Sequence, residues 1–526
     1  MSKRRKEKIE ESIDWSAVLG PVLSAGSIPP RSLSVQSAEL ADLERATFAH
    51  VRRAVRPRPG LAAEDLPFAT DSVPWFAQGR FVSEPLAAGT LAGGTMAAAV
   101  RPGAFMQYAA GDYYIQDAGS MLALALMDAQ PGEWVCDTCA APGGKSTGLL
   151  EQLAGRGVLV ANEVIRSRLS LLAVALERTG YGNQMLTNLE VEQLSQLCGP
   201  AFDRVLVDAP CTGQTMVGRG KQRMAAFSAA QIAHSSARQQ RILRAAARLV
   251  KPGGRLVYST CAYSYAENEQ VVVEFAGEHA GWQLTPQAGF EQWASPLGEG
   301  CYRVWPHRHG CSGAFAAVLV NEVGEHAPED LAQLDLQSPL RAKFGWRELD
   351  SLPHELDGLL AFDAGRLWQG GNQLHRFDAS LPVDWIGSAV AGTEMARQSG
   401  EAHHQRWTPS FGAAVLSRWC ENSACGAADS GAVSESQPVV IANELPLDDA
   451  QAVRYVAGES LRGIVAGDRA AGDRAAGGDL GQADRSGAGW CVPSWRGRRL
   501  SWGKLTAGVL KNHFPKAIRQ PNALCE

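Results

Sequence analysis

The stretch Trp134-Val-Cys-Asp-Thr-Cys-Ala-Ala-Pro-Gly-Gly-Lys-Ser-Thr147 decides the fold. Trp134-Val-Cys-Asp reads as a strand, Pro142-Gly-Gly as a turn, and Thr147–Leu153, with apolar residues at helical spacing, as the helix behind it. Working outward, similar short runs recur at Val158-Leu-Val-Ala-Asn, Arg204-Val-Leu-Val-Asp, Arg255-Leu-Val-Tyr-Ser and Ala314-Phe-Ala-Ala-Val-Leu-Val. Helical patterns separate them over Arg166–Thr179 and Ala229–Val250, and Pro252-Gly253-Gly254 is expected to end the latter. This alternation predicts βαβ units around a mostly parallel, doubly wound sheet, an α/β core of Rossmann-like type.

A strand, a glycine-rich turn and a helix N-terminus together aim backbone N–H groups at a polar or anionic ligand. The turn lacks both the G-x-G-x-x-G fingerprint and the G-x-x-x-x-G-K-[ST] phosphate loop, because only Gly143 and Gly144 precede Lys145. A nucleoside triphosphate is therefore disfavoured. The next strand ends at Asn162-Glu163, where a carboxylate can accept both ribose hydroxyls of an adenosine-containing ligand, so Glu163 is the ribose-binding residue expected here.

Two further strand ends carry thiols: Asp208-Ala-Pro-Cys211-Thr-Gly213 and Ser259-Thr-Cys261-Ala-Tyr. A lone cysteine is by default a small buried hydrophobe, but Pro and Gly neighbours hold these on turns at the ligand edge of the sheet. Cys136 and Cys139 form a C-x-x-C pair, and no second pair or His spacing completes a zinc site, so no metal is expected. Next to a methyl donor, thiols suit one chemistry. C5 of a pyrimidine accepts a methyl group only after a nucleophile adds at C6, and a carboxyl such as Asp208 can hydrogen-bond N3. A second thiol assists loss of the C5 proton and β-elimination. The target base must then be single-stranded or flipped out of its helix. Cys211 and Cys261 occupy equivalent strand ends, and position alone does not rank them.

The 526-residue chain is 45% hydrophobic and 20% charged, which fits several soluble domains. No run of about 18 apolar residues appears. The eleven cysteines are scattered, and reduced thiols in a cytoplasm are expected. The net charge of −5 conceals a basic stretch, Arg496 to Arg519, with Arg496, Arg498, Arg499, Lys504, Lys511, Lys516 and Arg519 and no acid. The organisation expected is an N-terminal RNA-binding-like α/β unit over 1–127, the core over 128–322, an intermediate region over 323–423 and a linker over 424–438. A small β-rich RNA-binding module over 439–526 follows, interrupted by a disordered loop at about 466–489 that repeats Ala-Gly-Asp-Arg-Ala.

The motifs Asp137-Thr-Cys-Ala-Ala-Pro-Gly-Gly-Lys145, Asp208-Ala-Pro-Cys-Thr-Gly213 and Ser259-Thr-Cys261 with Glu267-Asn-Glu resemble, in order, those of the Sun-type RNA (cytosine-5) methyltransferase family. Tyr113-Tyr-Ile-Gln-Asp-Ala-Gly-Ser-Met121 and Arg303-Val-Trp-Pro-His307 are also similar. Leu500-Ser-Trp-Gly-Lys504 and Leu510–Arg519 resemble the PUA-like C-terminal module of the branch acting on small-subunit ribosomal RNA in bacteria.

The resemblance implies an S-adenosylmethionine-dependent enzyme that forms 5-methylcytosine, with Cys261 as nucleophile and Cys211 assisting release. It further implies cofactor contacts from Cys139, Ala140, Ala141, Pro142, Gly143, Gly144, Lys145, Glu163, Glu190 and Asp208. Lys504, Lys511, Lys516 and Arg519 are the RNA-binding residues expected on the terminal module. The partner expected is RNA, ribosomal first, with transfer RNA or a non-catalytic assembly role as alternatives. Departures from the family pattern are Glu190 in place of Asp and Thr212 in place of Ser.

Overall fold

The computed structural model describes residues 13–24, 33–49, 51–83, 100–322, 345–356, 359–360, 366–399, 405–415, 444–464 and 489–525. The expected linker at 424–438 and nearly all of the expected disordered loop lie outside the described residues.

The core sheet has eight strands. Across it run Trp282–Leu284, Ala314–Asn321, Val250–Thr260, Phe202–Asp208, Trp134–Asp137, Val158–Asn162 and Gln184–Thr187, with Cys301–Val304 paired to Ala314–Asn321. The five strands from Val250–Thr260 to Gln184–Thr187 are mutually parallel, and Ala314–Asn321 closes that side antiparallel. Val158–Asn162 is buried along its whole length, as a parallel strand covered on both faces must be. Two hydrophobic clusters fill the layers on either side of the sheet, one containing Val160, Val205 and Leu256, the other Val135, Leu159 and Val257. Successive strand residues divide between them because their side chains alternate across the sheet.

Three core strands and several helices carried no readable period. Gln184–Thr187, Trp282–Leu284 and Cys301–Val304 are only three or four residues long. Ala118–Met127, capped by Asp117, is buried nearly all round and so has no polar face to mark it as a helix. It packs against the core sheet, so the N-terminal sheet proper ends at Ile115. The expected helix Ala229–Val250 stops at Ala247. Pro252-Gly253-Gly254 lies inside the strand Val250–Thr260, at a register shift against Phe202 and Arg204. Pro lacks an N–H, and the ladder tolerates it at this irregularity near the strand's start. The expected helix Arg166–Thr179 begins with a 3₁₀ turn and is α-helical over Leu169–Glu177.

Three smaller sheets surround the core. The N-terminal sheet, ordered Thr70–Val73, Phe76–Val82, Ala54–Pro57, Tyr113–Ile115, is wholly antiparallel. Five antiparallel strands between Arg347 and Pro409 form a second sheet in the intermediate region. This region covers the exposed edge of the core: Leu186 N–H donates to Ala391 C=O at 2.7 Å, and Val390 N–H to Leu186 C=O at 2.8 Å. Its Trp385 sits edge-on to Trp134 at 5.5 Å and against Phe202 at 5.7 Å.

The C-terminal module has six strands and the helix Asp449–Val456. Arg498 of this module reaches Asp112, a nearly fully buried carboxylate of the N-terminal unit, at 2.6 Å. Met106 N–H donates to Leu524 C=O at 2.8 Å beside it, so the first and last units dock on each other. Among the described residues, no helix is long and apolar enough to cross a membrane.

Removing the Trp385 indole should expose the covered face of the core. We expect Trp385→Ala to cost about 3–5 kcal/mol, read as a lower denaturant midpoint of the core's unfolding transition. A wild-type midpoint would mean that the intermediate sheet adds nothing to core stability.

Candidate active site

The strand order reverses beside Trp134–Asp137, with Phe202–Asp208 on one side and Val158–Asn162 on the other. In open α/β sheets the crevice at such a switch point, beyond the strands' C-terminal ends, is where ligands bind. Every core site residue named from the sequence lies at or just beyond this edge.

The glycine turn is held from below by Asp137. Its carboxylate accepts from Ser146 Oγ at 2.6 Å and from the Cys139 N–H at 3.3 Å. Burial pushes this carboxyl up to about 7, against the Ser146 hydrogen bond, which lowers it. Gly143 has φ +106°, and a Cβ there would stand 2.9 Å from Ala175 Cβ. Both conformation and space therefore demand glycine before the helix Gly144–Leu153.

Glu163 is almost fully buried, accepts from the Ile165 N–H at 2.8 Å and pairs with Arg168 at 3.1 Å. Arg168 also donates to Ala141 C=O, bridging the turn and the acid. Asn162 joins the loops: its Nδ2 donates to Thr138 and Leu189 carbonyls, and its Oδ1 accepts from Thr187 Oγ1. Arg168 and Asn162 were not among the expected site residues. Their partners come from separate strands, which no local motif reports.

Glu190 is N-cap of the helix Val191–Cys198, where Gln193 Oε1 accepts its backbone N–H at 3.3 Å. Its carboxylate is about half exposed and lies 3.7 Å from Arg241.

The thiols converge. Cys211 Sγ and Cys261 Sγ are 3.2 Å apart and half-buried. Asp208 accepts from Ser259 Oγ at 2.8 Å and from Lys145 Nζ at 2.7 Å. Lys145, expected only as a cofactor contact, thus brings its ammonium to the carboxylate of the thiol site. Burial alone would lower the Lys145 amine, but the charge and hydrogen bond of Asp208, with the nearby Cys261 and Asp137, together hold the group above its ordinary value.

The two thiols are driven apart in acidity. The hydrogen bond from Cys211 holds Cys261 below the ordinary thiol value despite burial, and the Lys145 charge acts in the same direction. The same hydrogen bond, together with burial, raises Cys211. A lowered thiol flanked by a cation is the nucleophile type, and its raised neighbour stays protonated.

Buried side chains fix this spacing. Glu267 accepts from Thr212 N–H at 2.9 Å, Thr212 Oγ1 at 2.5 Å and Gln239 Nε2 at 3.0 Å, tying the Cys211 loop to the segment after Cys261. Gln214 Oε1 accepts from the N–H groups of Tyr263 and Ser264 at 2.7 and 3.0 Å. Among the described residues, no group of three or more His, Cys, Asp or Glu could hold a metal ion.

On the C-terminal module, Lys504 and Lys511 face each other across paired strands, and Lys504 lies 5.6 Å from the Trp490 ring centre. Lys516 is exposed on a 3₁₀ turn. Arg519 donates to Phe514 C=O at 3.2 Å and packs against Gly458, so it serves the module's own packing. Arg496, Arg498 and Arg499 pair with Asp449, Asp112 and Glu444, which leaves much of the basic stretch neutralised.

Residues 124–320 match the family model described as 16S rRNA methyltransferase RsmB/F, and residues 442–520 match the methyltransferase RsmF PUA domain. The core and the C-terminal module are thus each similar to the RsmB/F methyltransferases. Among RsmB/F relatives, the ribosomal RNA small subunit methyltransferase F of Vibrio parahaemolyticus is 30% identical over 51% of this chain and 55% of that protein. The enzyme of the same name from Aeromonas salmonicida is 27% identical over 80% of this chain and 81% of its own length. In the two Vibrio relatives the match spans about half of the relative's length, 55% and 48%. A methyltransferase homolog protein from Pyrococcus horikoshii is similar in structure, 27% identical, covering 58% of this chain and 98% of that one with a TM-score of 0.45.

The acidity split is measurable. Alkylation of Cys261 by iodoacetamide should persist below the pH at which ordinary thiols react. Cys211→Ala, which removes the hydrogen bond, should move that profile to higher pH. An unshifted profile in Cys211→Ala would show that Cys211 does not activate Cys261.

Proposed function

We propose that the protein is an S-adenosylmethionine-dependent RNA cytosine-C5 methyltransferase acting on small-subunit ribosomal RNA in the cytoplasm. The observation that carries this reading is the thiol pair, Cys211 and Cys261, 3.2 Å apart at the ends of adjacent parallel strands, with the Asp208–Lys145 ion pair beside it. Cys211 and Cys261 are both outside any disulfide, as thiol catalysis requires.

The donor set fits the cofactor. Backbone groups of Cys139 to Lys145 at a helix N-terminus would hold its amino-acid end, and the Glu163 carboxylate its ribose hydroxyls. Bound there, S-adenosylmethionine supplies an electrophilic methyl group.

The chain's own residues do the rest. Cys261, as thiolate, adds to C6 of the cytosine, forming an S–C6 bond and moving an electron pair to C5, which takes the methyl group as the donor's sulfur–methyl bond breaks and S-adenosylhomocysteine is left as the by-product. Asp208, whose Oδ2 accepts from Lys145 Nζ at 2.7 Å, accepts a hydrogen bond from N3 once that nitrogen is protonated and so stabilises the adduct. Loss of the C5 proton to a base returns the electron pair, and the S–C6 bond breaks. Cys211, in contact with Cys261, assists this expulsion. The N-terminal unit and the C-terminal module, through Lys504, Lys511 and Lys516, hold the RNA.

Cys261→Ala should abolish methyl transfer, whereas Cys211→Ala should still add to RNA and accumulate a covalent complex visible as a band shift on a denaturing gel. Activity retained in Cys261→Ala, with free turnover in Cys211→Ala, would overturn the assignment. Bisulfite sequencing of ribosomal and transfer RNA from cells with and without the protein identifies the substrate. Loss of a methylated cytosine in transfer RNA alone would overturn the ribosomal reading.

Replacing Lys504, Lys511 and Lys516 with Gln should weaken RNA binding and flatten its salt dependence by a log–log slope of about 0.7–0.9 for each phosphate no longer neutralised. Unchanged binding at every salt concentration would remove these lysines from the interface.

A further inference from the structure

Arg56 lies on the N-terminal strand Ala54–Pro57, and its side chain has no solvent exposure at all. An isolated guanidinium in such a place would be prohibitively costly, so its hydrogen bonds account for its presence. Guanidinium has five N–H donors, and five acceptors surround this one. Nε donates to Glu151 Oε2 at 2.5 Å, and Nη2 to Glu151 Oε1 at 3.2 Å and Thr147 Oγ1 at 2.8 Å. Nη1 donates to Gly144 C=O at 2.9 Å and to Gln116 Oε1.

A purely stabilising pair would need only Glu151, two turns into the helix. The contacts to Gly144 and Thr147 instead pin its first turn, immediately after Gly143. Tyr114 of the same N-terminal sheet lies 5.2 Å from the guanidinium, and its ring edge would be 3.6 Å from a Cβ on Gly144. A Cβ on Gly148 would come within 3.2 Å of Arg56 Nη1 and 2.5 Å of Leu124, so glycine there admits the arginine to the helix. The N-terminal sheet therefore forms one wall of the glycine turn.

We propose that Arg56 is a positioning residue for methyl-donor binding: it fixes the Gly144 peptide, and with it the turn Cys139–Lys145, from the N-terminal unit. The inference rests on the reading of that turn as the S-adenosylmethionine site. It makes the N-terminal unit part of the cofactor machinery, in addition to any contact it makes with RNA.

The experiment is calorimetric binding of S-adenosylhomocysteine to the full-length protein, with RNA affinity measured on the same samples. Arg56→Lys keeps the charge but loses the fork. Its Kd for S-adenosylhomocysteine should rise about tenfold, and KM for the methyl donor should rise more than KM for RNA. Thr147→Val leaves the Glu151 pair intact and should raise that Kd about threefold. Wild-type Kd in folded Arg56→Lys would overturn the inference. If Arg56→Lys does not fold, wild-type Kd in Thr147→Val overturns it equally. Absence of binding by the wild-type protein would instead overturn the cofactor reading and this inference with it.

Discussion

The chemistry of this molecule depends on one strand register. Phe202–Asp208 and Val250–Thr260 run parallel with Asp208 opposite Ser259, and the Ala209 N–H continues the ladder to Ser259 C=O at 2.9 Å. From that pairing each chain has only a few residues to travel before its cysteine, so both thiols leave the sheet at the same height. A one-residue slip would turn every side chain of a strand to the opposite face. The Ser259–Asp208 hydrogen bond and the fully buried stretches Val205-Leu-Val207 and Leu256-Val-Tyr258 make such a slip costly. The acidity split of the thiols, the Lys145–Asp208 pair and the Glu267 clamp all presuppose this alignment.

Charge burial is the second organising device. Arg56 with Glu151, Arg303 with Glu269, and Arg498 with Asp112 are ion pairs in which at least one member is almost completely excluded from water. Such pairs add little net stability, but each is strongly unfavourable if one member loses its partner. They therefore specify how units dock. Arg56 fixes the N-terminal sheet on the helix after the glycine turn, and Arg498 fixes the last unit on the first. Arg303, with its Nη1 on Tyr263 C=O at 2.9 Å, supports the backbone two residues beyond Cys261.

The legible parts of the sequence were those in which a local pattern carries the physics. Five core strands are largely apolar runs: four are parallel and covered on both faces, and Ala314–Asn321, antiparallel, is buried along most of its length. The glycine turn, Glu163, the two cysteines and Asp208 all lie where strand ends were expected. What stayed hidden depends on partners distant in sequence. Gln184–Thr187 and Trp282–Leu284 are too short to show a period, and Ala118–Met127 is apolar on every side. The pairing of Lys145 with Asp208 and the engagement of Arg496, Arg498, Arg499 and Arg519 in internal contacts follow from the fold. A count of basic residues cannot reveal them.

The edge of the core sheet has a consequence in time. Gln184–Thr187 presents unpaired backbone groups until Val390 and Ala391 arrive to meet Leu186. Some 200 residues separate the two, and at roughly 5–20 residues per second their synthesis takes about 10–40 s. Throughout that interval the nascent core carries an open strand edge, the template on which another chain can add. The interval is set by the order of the units along the chain, and cover arrives only when the intermediate sheet has been made.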